Sequence, residues 1–247
     1  MKLAPLSLAC RGVAVAVGVV ALAGCATAAS GGSESLTTIG LGSPIGFEGN
    51  PGELGADGLV ASDADRVDSV VMIGDSITKG STPALQEQFA ALGFDDVLIE
   101  AENGKRMVVS SGRNTGGASV AEFLSGGGDG DHTNELWVVA LGTNDVGQYA
   151  GPDQVAGAVN EVLDNVPDDA ALVWVDTYFR DRPEQQELVN SIIHDRVERR
   201  GNGVVAPWSA FATSDGVLTG DGVHPTSDGT QAFAFVVADT ARVFLGR

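Results

Sequence analysis

The sequence predicts an α/β fold, a parallel sheet with helices on both faces. Two observations predict it. From Val67 onward, short apolar runs alternate with longer stretches of helical spacing. The apolar runs are rich in valine, isoleucine and leucine, as strands covered on both faces are.

Taken in order, Val67 to Ile73 reads as a buried first strand. Pro83 to Leu92 has helical spacing and stops at Gly93. Val97 to Ala101 is a second strand, and Ala118 to Leu124 a short helix. Glu135 to Leu141 is a third strand. Pro152 to Val166 fits a helix with proline in its first turn. Ala170 to Asp176 is a fourth strand, and Pro183 to Arg200 a helix ended by Gly201. Val204 to Ala206 makes a short fifth strand, and Thr226 to Leu245 is mostly helical. In open sheets of this kind, ligands bind beyond the carboxyl ends of the strands.

The chain has 247 residues, enough for one sizeable domain with additions. The additions lie at the start. Lys2 and Arg11 give a positive N-terminus, and Val13 to Leu22 is an apolar run too short to span a bilayer comfortably. Leu22-Ala23-Gly24-Cys25 follows, which resembles a bacterial lipoprotein signal. That resemblance implies cleavage before Cys25, lipid attachment to its thiol, and export to the outer face of the cytoplasmic membrane or the cell envelope. Residues 1–24 are then a signal peptide, 25–66 a flexible tether rich in Gly, Ser, Pro and Asp, and 67–247 the working domain. The only other cysteine, Cys10, falls in the removed part, so the mature chain has no disulfide. The formal charge of −19 repels nucleic acid and anionic headgroups, so the membrane link is the lipid and not a basic patch.

Three short motifs carry the chemistry. Gly74-Asp75-Ser76 follows the first strand, where a serine can stand at the sheet edge above a helix N-terminus. The plain alternative is a helix N-cap. Gly142-Thr143-Asn144-Asp145 follows the third strand, and the Asn144 amide could donate to a developing oxyanion. Its alternative is a turn. Asp221-Gly222-Val223-His224 precedes the last helix. Histidine is the usual general base near neutral pH, and an aspartate three residues earlier can orient it. Its alternative is a turn with a solvent-facing imidazole.

In this order, the three motifs resemble the SGNH (GDSL-like) hydrolase family over most of the chain from Val67 onward. The resemblance implies a three-layer αβα flavodoxin-like sandwich with a central five-stranded parallel sheet. It implies Ser76 as nucleophile, His224 as base and Asp221 as its orienting acid. It also implies an oxyanion hole from the Ser76 N–H, a glycine N–H assigned to Gly104 in Asn103-Gly104-Lys105-Arg106, and the Asn144 side chain. The implied activity is ester cleavage through an acyl-enzyme. With the anchor, this points to acetyl or short acyl esters of envelope glycans, glycolipids or lipids. O-acyl transfer from the same site, or a non-catalytic binding module on a retained fold, are the alternatives. No cofactor is expected.

The remaining polar clusters are weaker. His194 lies among charged helix residues and reads as solvated. His132 sits in a loop with Asp129, Asp131 and Asn134, but the calcium-loop spacing fails because Ala140 occupies the twelfth position from Asp129. There is no Cys/His zinc pattern, so no metal is expected. Lys105, Arg106 and Arg113, and the segment Tyr178-Phe179-Arg180 after the fourth strand, either bind a polar or anionic substrate or form local salt bridges and loop packing.

Overall fold

The computed structural model describes residues 67–108, 115–127, 132 and 134–247. Cys25, the signal 1–24, the tether 25–66, Arg113, Asp129 and Asp131 lie outside the described residues. Five strands form one sheet: β1 (Ser69–Gly74), β2 (Asp96–Ala101), β3 (Glu135–Ala140), β4 (Ala171–Val175) and β5 (Gly203–Ala206). Their order is β2-β1-β3-β4-β5, and every pairing is parallel. This is the flavodoxin-like order, whose direction of winding reverses between β1 and β3.

The helices are α1 (Ser76–Ala91), α2 (Gly116–Gly127), α3 (Pro152–Leu163), α4 (Pro183–Arg200), α5 (Trp208–Phe211) and α6 (Ser227–Phe244). Strand alternation sends side chains to opposite faces, and each face has its own core. On one face, Val70, Met72 and Val138 meet Leu85 and Phe89 of α1 and Phe233 and Val237 of α6. On the other, Ile73, Val139 and Trp174 meet Val120 of α2, Val159 of α3 and Ile193 of α4. The expected three-layer αβα sandwich with a five-stranded parallel sheet is what the chain forms.

Most expected element bounds differ by a residue or two, but one helix differs by two turns. The sequence suggests a start at Pro83, whereas α1 begins at Ser76 and carries Pro83 inside it. Gly80, Ser81 and Thr82 weaken the local helix signal. The Asp75 side chain accepts from the Ile77 N–H at 2.9 Å and caps the helix early. Burial of Ile77, Ala84, Leu85 and Phe89 then outweighs the missing proline N–H. The early start matters because it makes Ser76 the first residue of a helix. Gly74 permits the tight strand-to-helix turn: a Cβ there would stand 2.1 Å from the Thr78 hydroxyl oxygen.

Candidate active site

The loops after β1, β3 and β4 and the segment before α6 converge at the carboxyl edge of the sheet. Ser76 Oγ lies 3.0 Å from His224 Nε2, across 148 positions of sequence. His224 Nδ1 lies 2.7 Å from Asp221 Oδ2. The other carboxylate oxygen, Oδ1, accepts from the Thr219 hydroxyl at 2.8 Å, the Val223 N–H at 2.9 Å and the His224 N–H at 3.0 Å. The His224 ring bond, with these donors, holds the Asp221 carboxyl well below the usual carboxylate range. A carboxylate that stays ionised can keep the proton of neutral His224 on Nδ1 and leave Nε2 free to accept from Ser76.

The segment carrying Asp221 and His224 is a tight turn. Leu218 and Pro225 bridge its base, and the Thr219 N–H donates to the His224 carbonyl at 2.8 Å. Gly222 lies at φ +72°, where a Cβ would stand 2.6 Å from the Arg180 side chain. The Arg180 N–H donates to the Gly222 carbonyl at 3.1 Å, so the loop after β4 fixes the height of this turn.

Asn144 follows a left-handed glycine. Gly142 has φ +130°, and a Cβ there would approach Val189 of α4 at 3.3 Å. The Asn144 amide nitrogen donates to Asp75 Oδ2 at 3.0 Å and to the Lys105 carbonyl at 3.1 Å. Both amide protons are thus engaged in this state, and stabilising an oxyanion requires one of these bonds to be shared or exchanged. Gly104 has φ +72° in the turn one residue before that carbonyl. It is not among the residues lining the cleft described below. The turn places Gly104 directly before the Lys105 carbonyl that anchors Asn144.

Two carboxyls that the motif reading left as turn or cap residues organise this loop set. Asp75 is buried, and desolvation pushes its carboxyl up to about 7 against the opposing Ile77 N–H and the nearby His224. Asp145 is buried too, and desolvation raises it. It accepts from the Tyr149 hydroxyl at 2.7 Å and the Met107 N–H at 3.2 Å, with Arg106 at 3.5 Å. Asp145 thereby ties the loop after β3 to the loop after β2. The signal available in sequence was adjacency alone, since Asp75 precedes the serine and Asp145 follows the asparagine.

Of the basic residues noted in sequence, Lys105 is fully buried and donates to Glu100 and to Ser119 Oγ. Arg106 lies 5.7 Å from the Tyr149 ring centroid. Both make the local contacts that were one of the two readings. His132 pairs with Glu135 at 2.8 Å, and half-exposed His194 stands 3.9 Å from Asp176. Neither faces the Ser76 cleft. That cleft has a volume of about 580 Å³, and its walls include Ser76, Asn144, Phe179, Arg182, Asp221 and His224.

The fold recurs in solved structures. The C-terminal catalytic domain of Streptococcus pneumoniae peptidoglycan O-acetyltransferase A is 20% identical, with a TM-score of 0.51 over 73% of this chain and 93% of that one. A carbohydrate acetylesterase family member from Sinorhizobium meliloti is 17% identical, with a TM-score of 0.55 over 73% of this chain and 100% of that one. A Clostridium thermocellum family 3 carbohydrate esterase is 14% identical, with a TM-score of 0.53 over 72% and 98%. At these identities the likeness is one of fold. No curated protein matches the sequence. The family model that does match spans residues 72–232, from the middle of β1 into α6 and across all three motifs, and the chain belongs to the GDSL-like Lipase/Acylhydrolase family.

Proposed function

We propose that the protein is a serine esterase that cleaves acetyl or other short acyl esters of cell-envelope glycans, glycolipids or lipids. The observation that carries this reading is the Ser76–His224–Asp221 chain, with links of 3.0 and 2.7 Å, opening onto a substrate-sized cleft. His224 takes the Ser76 proton as the oxygen attacks the ester carbonyl. Negative charge collects on the former carbonyl oxygen. The Ser76 N–H, which has no intrahelical acceptor at the first position of α1, is one donor toward it. The Gly104 N–H and the Asn144 amide, once it exchanges one of its two present acceptors, are the others. The C–O bond to the alcohol then breaks, the alcohol leaves with the proton from His224, and an acyl-Ser76 ester remains. Water, activated by the same imidazole, releases the acid and restores the serine.

Cys25 carries the envelope part of the proposal. A lipid there would confine the enzyme to acyl groups near the outer face of the membrane. Radiolabelled palmitate should enter the full-length chain in bacterial cells, and Cys25→Ser should abolish it. Labelling that survives Cys25→Ser would remove the anchor.

The activity itself is tested with short-chain 4-nitrophenyl esters. Wild type should turn them over, and a phosphonate or sulfonyl fluoride should add covalently at Ser76. Equal rates for wild type and Ser76→Ala would end the esterase reading. Adding sugar acceptors separates hydrolysis from transfer: acylated sugar in excess of free acid would make the protein an O-acyltransferase using the same serine.

A further inference from the structure

We infer that the cleft selects esters bearing an anionic group, a carboxylate or phosphate, and that Arg182 is the residue that binds it. This rests on the esterase reading and adds the charge of the substrate to it. Arg182 is the one lysine or arginine among the described residues lining the cleft. It is exposed, and no described carboxylate lies within ion-pair distance of it. Among the described residues, most other basic side chains are paired with a carboxylate, as Lys105 is with Glu100, Arg106 with Asp145, and Arg200 with Asp168.

The guanidinium is nonetheless held in place. Its Nη1 donates to the Val146 carbonyl at 3.1 Å, and its Cζ lies 5.3 Å from the Phe179 ring centroid. Gly147 makes the room. It sits at φ +73°, and a Cβ there would stand 2.7 Å from Arg182 Nη1. A main-chain acceptor and an aromatic ring therefore fix the fork, while the N–H groups not directed at Val146 remain for a ligand. Arginine presents those donors in a planar fork that fits a carboxylate or phosphate. The Val146 carbonyl belongs to the loop that holds Asn144, and Phe179 to the loop that braces Gly222 of the His224 turn. The cation is thus built into the loops that form the reacting centre. Asp181 also lines the cleft and carries the opposite charge. It would disfavour an anion on its own side and so restrict the anionic group to the side of Arg182.

The test compares three esters on the full-length protein: 4-nitrophenyl acetate, which is neutral; 4-nitrophenyl hydrogen succinate, with a carboxylate on the acyl half; and 4-acetoxybenzoate, with a carboxylate on the alcohol half. The ratio of kcat/KM for an anionic ester to that for the neutral one should fall about 10- to 100-fold in Arg182→Gln, the usual worth of a charge-assisted hydrogen bond. Arg182→Lys should retain part of the ratio, and Gly147→Ala, which displaces the guanidinium, should lower it. Whichever anionic ester responds identifies the half that meets Arg182. An unchanged ratio with both anionic esters, including equal losses on all three substrates, would overturn the proposal by reducing Arg182 to a structural role. Binding of the two anionic esters to Ser76→Ala by calorimetry provides a readout without turnover. Affinity lost on adding Arg182→Gln supports the proposal even if the esterase reading fails, and identical affinities refute it even if that reading holds.

Discussion

Asp75 should make this protein less stable as pH rises from acid toward neutral, and Asp75→Asn should remove that dependence. The carboxyl is 1% exposed, and burial raises it from its ordinary 3.8 to about 7. Between these two values the folded state holds a proton that the unfolded state has released. Stability therefore falls as pH rises through this window, and the loss is complete above about 7. At about 1.4 kcal/mol per pH unit, the whole effect is on the order of 4 kcal/mol, of which about 3 falls between roughly pH 5 and pH 8. The amide replacement keeps the shape and an oxygen to cap Ile77, but does not titrate. It can place a donor opposite the Asn144 amide, at a cost of about 1–3 kcal/mol that does not vary with pH and drops out of the comparison. Asp145 titrates in both proteins. Urea unfolding followed by the fluorescence of the buried Trp137, Trp174 and Trp208 provides the assay. Whatever constant offset separates the two stability–pH curves, the wild type should fall more steeply from acid toward alkali, so that its advantage over Asp75→Asn shrinks or reverses as pH rises. Curves that stay parallel across this range would refute the argument that an ionised Asp75 is paid for by the fold.

Three further outcomes follow from the same geometry. Asp221→Asn should lower kcat by at least about two orders of magnitude while leaving thermal unfolding nearly unchanged, because the acid sits on a half-exposed turn and orients His224; near-wild-type turnover would remove Asp221 from the chain. Asn144→Ala should cost about 10²- to 10³-fold in kcat if its amide can exchange a present partner for the oxyanion, and a loss confined to stability would mean that it serves only Asp75 and Lys105. Lys105→Met should destabilise by about 2–4 kcal/mol in chemical denaturation, since it leaves Ser119 and the partly exposed Glu100 without their cation; a stability equal to wild type would show that the buried ion pair contributes nothing net.

Local pattern was enough to give helices on both faces of a parallel sheet and the chain order of all five strands and five of the six described helices, the short α5 (Trp208–Phe211) being the one it did not show. The strands announce themselves as β-branched runs, and α4 is bounded as expected because Pro183 fixes its first turn and Gly201 its left-handed end. The motif residues were legible too, since each lies directly after a strand or before a helix, in a family-like order. The first two turns of α1 were not, because Gly80, Ser81 and Thr82 speak against helix locally while burial against β1 and α6 is a long-range term.

What only the tertiary structure decided is how the loops meet. Ser76 and His224 approach across 148 positions, and Asn144 reaches Asp75 across 69. The roles of Asp75 and Asp145 as buried organisers, and the seating of Arg182 on Val146 and Phe179, depend on contacts between loops that no periodicity encodes. Hydrophobic spacing reports which face of an element is buried. The partner of a polar side chain on a loop is set by where several crossovers bring the strand ends, and that is a property of the closed sheet.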